Sequence, residues 1–363
     1  GTAVAIGGLA RALEGRGHRV ERIVPLGAWP RGLLARRLWF NLTLPGRLRA
    51  AAAAGDRYDL IVGFDIDGVR LAASPALPFV CSIYVCSIKG VLAEEARCER
   101  GWPRLMLASL ARLEGLNARR APLVLSTSSY CCQRIVQWYG VPRERLALVP
   151  EGIDLALWQP CGDANALAAA DAQREPFTVL CVARQYPRKR VIDLLEAFAL
   201  VTARLATARL VIIGDGPEHG RLRQRLEELQ LGEAVRLLGA LPDDAEVRRW
   251  YSRCSVFCLP SEQEGFGIVF LEAMASGLPV VSTTAAAIPE VVPDGQAGLL
   301  VPPRNPVALA AALLRLLEDP ALLARMRDGG RRQARQFSWD QVARRFLEAV
   351  ASLPHAHQPP RRP

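Results

Sequence analysis

The sequence predicts a two-domain α/β protein in which each domain is a doubly wound parallel sheet. Three observations predict it. The 363 residues exceed the usual size of one domain. Short apolar runs alternate with helical stretches at roughly 30 residues per unit, the spacing of successive strand–helix pairs. The alternation breaks once, at "QPCGDANALAAADAQREP" (159–176), a small, polar stretch bracketed by prolines that reads as a linker. The expected domains are therefore 1–158 and 159–337, then an amphipathic helix over 338–353 and a disordered tail over 354–363.

In the first domain, "TAVAIGGLARALEGRG" reads as a helix ending at Gly17, and "HRVERIVPL" as a strand. "YDLIVGF" (58–64), "LPFVCSI" (77–83) and "RAPLVLSTS" (120–128) are apolar runs between turn signals, the pattern of buried parallel strands. A helix is expected over 103–119. In the second domain the expected order is strand 177–183, helix 191–204, strand 208–213, helix 218–230, strand 234–238, helix 243–252, strand 255–259, helix 267–276 and strand 278–282.

Composition bounds the function. Nine cysteines lack the spacing of a disulfide framework or a zinc site and read as reduced thiols. No apolar run reaches membrane-spanning length, and no signal peptide is visible. The chain starts at Gly1 without a methionine, so an upstream signal or anchor stays open. The net charge of +10 lies wholly before residue 151, where 21 Lys and Arg face 11 Asp and Glu; beyond it the count is 25 against 25. A basic lobe points to an acidic ligand or an anionic surface, or else to solvated arginine-rich helix faces.

The chemistry centres on "SEQEGFGIVFLEAMASG" (261–277). A strand, a glycine-bounded loop and a helix follow one another, and the open N–H groups at such a helix start suit a phosphate. Glu264 lies in the loop and Glu272 about one turn into the helix. Two carboxylates beside a phosphate site would repel the phosphate, but they suit hydroxyl groups. A nucleotide sugar carries both parts. Cations for its diphosphate are offered by "VARQYPRKRV" (182–191), with Arg184 and Lys189 after the first strand of the second domain.

The chain resembles the GT-B retaining glycosyltransferases of family 4. The resemblance rests on "EGFGIVFLEAMASGLPVV", with the carboxylates eight apart as Glu264 and Glu272, and on "IPEVVPDGQAGLLVPP" (288–303). It extends through "LVIIGDGPE" (210–218), "VRLLGALPDDAEV" (235–247), "STSSYCCQRIVQWYGVPRERLALVPEGID" (126–154) and "GLARALEGRGHRV" (8–20). It implies two Rossmann-like domains facing a cleft, the N-terminal one for the acceptor and without its first strand here.

The resemblance also implies roles. Glu264 would contact the transferred sugar and Glu272 the ribose. Arg184 and Lys189 would hold the diphosphate and stabilise it as it leaves. The loop residues Gly265, Phe266, Gly267 and Ile268 would assist through the backbone, Leu241 would border the base, and Gly1 would be the remains of a donor-contacting turn. The helix with Trp339 would return to the first domain. The reaction would keep the anomeric configuration and need no metal or cofactor, with a nucleotide-diphosphate sugar as co-substrate. Four positions depart from the family pattern. Ala286-Ala287 stands for Gly-Gly and would narrow the donor pocket. Arg190 stands for a glycine, Glu151-Gly152 for Asn-Gly, and Tyr84 where an acceptor-side histidine is usual.

Other signals carry less. Asp65 to Asp67, "DID", imitates a metal motif and reads better as a strand cap. "GDGPEHG" (214–220) imitates a dinucleotide fingerprint with its third glycine out of register. The segment 29–49 mixes Trp29, Trp39 and Phe40 with Arg31, Arg36, Arg37, Arg47 and Arg49. It reads as a core-packed helix with a basic outer face, or as a segment lying on anionic lipid. The expected partners are a nucleotide sugar, a glycan, lipid-linked or phosphorylated acceptor and an anionic membrane surface, without nucleic acid. The expected location is cytoplasmic, peripheral on the inner face of the membrane. A nucleotide-sugar epimerase and a non-catalytic binding protein of the same fold are the rival readings.

Overall fold

In the computed structural model, which describes residues 2–25, 33–74, 77–159 and 164–353, the chain divides into two units. Among the described residues, one comprises 151–341 and the other those of 2–150 together with 342–353. Each has its own hydrophobic core.

The N-terminal unit holds four parallel strands, β1 (Tyr58–Phe64), β2 (Cys81–Ile88), β3 (Leu123–Ser126) and β4 (Leu146–Leu148), in the spatial order β1-β2-β3-β4. Val85, Cys86, Ile88 and Val124 are almost wholly buried, as strands covered on both faces require. These described strands run in chain order without the reversal that a doubly wound sheet shows. "HRVERIVPL" is not a strand within the described residues 18–25. Side chains fix that stretch instead: the Tyr58 hydroxyl donates to Glu21 at 2.8 Å and Arg47 donates to the Val24 carbonyl at 3.0 Å. In "LPFVCSI" the first four residues form a helical turn, Leu77–Val80, and the strand begins at Cys81. The helix Leu33–Ala53 buries Phe40, Leu44 and Leu48, four residues apart, which is the core-packed arrangement of segment 29–49. Trp29 and Arg31 lie outside the described residues.

The C-terminal unit holds six parallel strands, β5 (Thr178–Val182), β6 (Arg209–Ile213), β7 (Val235–Gly239), β8 (Val256–Cys258), β9 (Val280–Thr283) and β10 (Gly298–Val301). Their order is β10-β9-β8-β5-β6-β7, the doubly wound order with its reversal between β5 and β8. The sequence reading stopped short of β10 and of the helices Pro306–Glu318 and Pro320–Arg335. Both helices carry a readable start: Asn305 and Asp319 cap them, accepting from Ala308 N and Leu322 N, with proline at the first helical position.

The expected linker is a built part of this unit. Residues Ala164–Ala172 form a helix, and Asp171 accepts two bonds from Arg331 at 2.7 and 2.8 Å. Arg174, three residues on, also pairs with Asp171 and donates to the carbonyls of Tyr251, Cys254 and Ser276. Arg327 donates to the Gly277 carbonyl at 3.1 Å. The guanidiniums of Arg174 and Arg327 thus satisfy carbonyls just beyond the carboxyl end of helix Ile268–Ala275, where cations are favoured. Residues 151–158, read with the first domain, count with this unit; the Ile153 N–H donates to the Phe337 carbonyl at 2.8 Å.

Candidate active site

Open α/β sheets take ligands beyond the carboxyl ends of their strands, where the strand order reverses. Here that place is bounded by the loop after β5 (183–190) and the loop after β8 (259–267). These are the two loops that carry Arg184, Lys189 and Glu264.

Gln185 anchors the first loop. Its side chain is fully buried, and its amide donates to the Gly214 carbonyl at 2.6 Å while His219 Nδ1 lies 2.9 Å from its Oε1. A side chain at Gly214 would collide with the Ala183 carbonyl, and one at Gly216 would meet the Gln185 backbone. Gly214 and Gly216 of "GDGPEHG" therefore let two loops pack closely, which is a role other than dinucleotide binding. With Gln185 held inward, Arg184 is exposed, its guanidinium 5.5 Å from the Tyr186 ring centre. Arg188 lies over the same ring at 4.7 Å. A single 3₁₀ turn, Pro187–Lys189, then brings Lys189 Nζ to 2.6 Å from Glu264 Oε1. Arg190 takes the family's glycine position at φ +51°, a left-handed conformation, and its guanidinium grips buried Asp193 at 2.6 and 2.9 Å.

The second loop holds Glu264 nearly buried. Besides Lys189, its Oε1 accepts from the Ser261 hydroxyl at 2.9 Å, and Ser261 is held in turn by Thr283 through its carbonyl. The Glu262 N–H donates to the Arg188 carbonyl at 2.8 Å and ties the two loops together. Phe266 packs edge-on against Phe337, with ring centres 5.5 Å apart. Gly267 sits at φ +90°, where a side chain would strike the Phe270 ring. Helix Ile268–Ala275 begins there with no side-chain cap, leaving its first N–H groups for an anion. Ala286, in the family's Gly-Gly position, is also left-handed at φ +53°, and the N–H of Ala287 donates to the Glu264 carbonyl.

Glu272 lies one turn into that helix and keeps some exposure. Burial pushes its carboxyl up to about 7, a rise the Tyr251 hydroxyl opposes by donating to Oε2 at 3.1 Å and Asp244 reinforces. Tyr251 itself is completely buried, edge-on to Trp158 at 5.1 Å and stacked on Phe257 at 5.7 Å. Tyr251, Gln185 and Ser261 escaped the sequence reading. "RRWYSRC" offered a signal only for Tyr251, as part of the apolar face of helix Asp244–Arg253.

The remaining predicted residues are placed as follows. Leu241 follows β7 and is half-buried against the core of its unit. Gly1 lies outside the described residues. Tyr84 does not follow its strand, because β2 continues to Ile88. It lies within the core of the N-terminal unit, 3% exposed, with its hydroxyl donating to Asn117 at 2.7 Å. The residue that does follow β2 is Lys89, whose N–H donates to Asp65 and whose ammonium lies 5.7 Å from the Phe64 ring centre. Asp67 is gripped by Arg37 at 2.9 Å and by Asn41 at 3.0 Å. Burial pushes the Asp65 carboxyl up to about 6, against the pull of Arg37.

The arrangement therefore gathers two cations, an uncapped helix start and two carboxylates around one reversal point. Comparison with known proteins gives the family. Residues 165–333 match the family model described as glycosyl transferases group 1, and residues 1–157 match that of glycosyltransferase family 4. An MMP α-(1→4)-mannosyltransferase of Mycolicibacterium hassiacum is 32% identical over 309 residues, 82% of this chain and 72% of the relative. The chain belongs to glycosyltransferase family 4. Another relative is a GDP-mannose-dependent α-(1-6)-phosphatidylinositol monomannoside mannosyltransferase of Mycobacterium tuberculosis, 31% identical over 80% of this chain and 77% of its own. The sucrose-phosphate synthase of Thermosynechococcus elongatus superposes with a TM-score of 0.74 at 26% identity, over 97% of this chain and 93% of its own. Anabaena HepE with bound UDP shares the fold, with a TM-score of 0.70 at 22% identity over 94% of this chain and 89% of its own. The enzyme is a nucleotide-sugar glycosyltransferase of the hexosyltransferase class, built on the GT-B fold.

Proposed function

We propose that this glycosyltransferase moves a hexose from a nucleotide-diphosphate sugar to a hydroxyl of a glycan or lipid-linked acceptor, with retention and without a divalent metal. The observation that carries the reading is the Lys189–Glu264 contact of 2.6 Å across the reversal point. It puts a phosphate-seeking cation and a hydroxyl-seeking carboxylate at the two ends of one short bond. A sugar diphosphate inserted there meets Lys189 and Arg184 with its phosphates, and Glu264 with the hydroxyls of its hexose. The helix start at Gly267 adds N–H groups on the phosphate side, and Glu272 takes the ribose.

In the reaction the bond from the anomeric carbon to the phosphate oxygen breaks, a bond to the acceptor oxygen forms on the same face, and the acceptor's hydroxyl proton passes to the departing phosphate oxygen. Negative charge grows on the departing diphosphate. Fixed cations and N–H groups already aimed there stabilise it without reorganisation, and each such donor is worth about 3–4 kcal/mol in other enzymes. That supplies the charge a divalent ion would otherwise bring. The lipid-linked acceptor is favoured by the basic N-terminal lobe and by the Mycobacterium tuberculosis relative, whose name specifies a phosphatidylinositol acceptor.

Calorimetry against UDP-, GDP- and ADP-sugars identifies the donor, and the anomeric proton coupling of the product reports its configuration. Turnover in EDTA equal to that in manganese is expected. An inverted product, or activity abolished by EDTA and restored by manganese, would overturn the reading. Conversion of the donor sugar without acceptor would point to an epimerase instead.

A further inference from the structure

The helix Gly101–Arg120 buries Ala111, Glu114, Gly115, Asn117 and Ala118 against its own unit. Its outer side is unusual. Trp102, Leu105, Ser109, Arg112 and Leu116 follow one another at steps of three and four residues, so they share one face. All five are exposed, Trp102 by 75%, Leu105 by 63% and Leu116 by 37%. Arg100 and Arg104 stand exposed at the same end as Trp102. Arg100, Arg104 and Arg112 have no ion pair among the described residues. The segment first singled out by sequence is less free: in helix Leu33–Ala53, Arg37 is committed to Asp67, Arg47 to the Val24 carbonyl and Arg49 to Ser74.

We propose that the outer face of helix Gly101–Arg120 is the surface by which this enzyme lies on an anionic phospholipid bilayer. An indole at an exposed helix start and leucines one and four turns on would enter the boundary between headgroups and acyl chains, while the arginines meet lipid phosphates. Charge selects this occupant over a second copy of the chain. A two-fold contact through this stripe would set Arg112 and its neighbours against the same arginines of the partner, with no acid on the stripe to offset them. The inference deepens the lipid-acceptor reading, since it would bring the basic lobe to the plane where such an acceptor lies.

The test is co-sedimentation with phosphatidylcholine vesicles, with and without phosphatidylglycerol, at low and high salt. Wild type is expected to pellet with phosphatidylglycerol vesicles at low salt and to be released by high salt, which screens the attraction. Arg100→Gln/Arg104→Gln/Arg112→Gln is expected to partition about 100-fold more weakly, the equivalent of roughly 1 kcal/mol per arginine. Trp102→Ser/Leu105→Ser is expected to lose binding while retaining the wild-type thermal transition, because neither side chain belongs to the core. Arg36→Gln/Arg49→Gln is expected to bind as wild type does. Wild type remaining in the supernatant with anionic vesicles would overturn the membrane reading as a whole. Wild type binding, with both helix variants binding equally well, would leave that reading standing and overturn the assignment to this helix. A concentration-dependent dimer in sedimentation velocity, abolished by Trp102→Ser/Leu105→Ser, would assign the face to a second copy instead.

Discussion

At the scale of single residues, the Tyr251–Glu272 bond gives a prediction with a sign. Glu272 titrates near 7 in the folded chain, above the ordinary glutamate value of about 4.3. A carboxyl raised in this way binds its proton more tightly folded than unfolded. Its contribution to stability is therefore complete below the unfolded value and is lost as pH rises through about 7. In the ribose-binding role proposed for Glu272, accepting hydroxyl protons favours the ionised form, so nucleotide affinity should rise over that same interval. Tyr251→Phe removes the bond that opposes the rise and should move the limb to higher pH. Calorimetric titration of a nucleoside diphosphate across pH tests this, with its 2′,3′-dideoxy analogue as reference. Wild type binding both equally would remove Glu272 from the ribose; wild type preferring the ribonucleotide, with an unmoved limb in Tyr251→Phe, would remove Tyr251 from control of it. Ala286 makes a second case. At φ +53° an L-residue is strained by about 1–2 kcal/mol, while glycine costs up to about 1 kcal/mol more chain entropy. Ala286→Gly should therefore stabilise by up to about 1 kcal/mol in urea unfolding. Arg190→Gly, at a similar φ, should not, because it strands buried Asp193.

Among the elements, helix Ile268–Ala275 carries the most. Its amino end offers N–H groups to an anion, its fifth residue is Glu272, and carbonyls just beyond its carboxyl end are held by Arg174 and Arg327. Asp171 is a carboxylate shared by Arg174, Arg327 and Arg331. Burial pushes its carboxyl up, but the guanidiniums of Arg331 and Arg327 outweigh that and hold it below the ordinary value. Its stabilisation is therefore present above the unfolded value and lost as pH falls through the lower folded one. Asp171→Ala leaves three guanidiniums crowded without their shared anion. A loss of about 3–5 kcal/mol is expected, the cost of breaking a buried pair by removing one partner. Chemical denaturation near pH 7 measures it. A loss below about 1 kcal/mol would mean that the cluster is solvated like an ordinary surface pair. Part of that loss should reach the site, because the helix that aims Glu272 is held at this end.

For the whole molecule, legibility differed between the two units for a physical reason. In residues 177–283 each strand is short and mostly apolar, and β5 leads into a helix of clear period, so helix Val191–Arg204 was read to the residue. The candidate site was legible there because anion-ready glycines and carboxylates follow strands, where open α/β sheets take ligands. Its supports were not. Tyr251 and Gln185 meet their partners across tens of residues of chain, and an inward-facing tyrosine looks like any core aromatic. In the N-terminal unit the charged "HRVER" mimics an alternating strand, and Tyr84 looked terminal because four more strand residues follow it unmarked. "ANALAAADAQ" read as linker because Asp171 finds its partners at 327 and 331, far along the chain. The separate cores lead to the last prediction. The proposed diphosphate site lies entirely within residues 151–341, so a nucleoside diphosphate should stabilise that unit directly, by about 2.7 kcal/mol at a hundredfold excess over Kd. Amide exchange should slow in loops 183–190 and 261–270 and in the strands β5 and β8 behind them, while strands β1 to β4 exchange as before. Where heating resolves two transitions, the ligand should raise the one that carries the β5–β10 signal. Protection concentrated at residues 58–90, with 183–190 unchanged, would place the nucleotide in the other unit and reverse the assignment of donor and acceptor lobes.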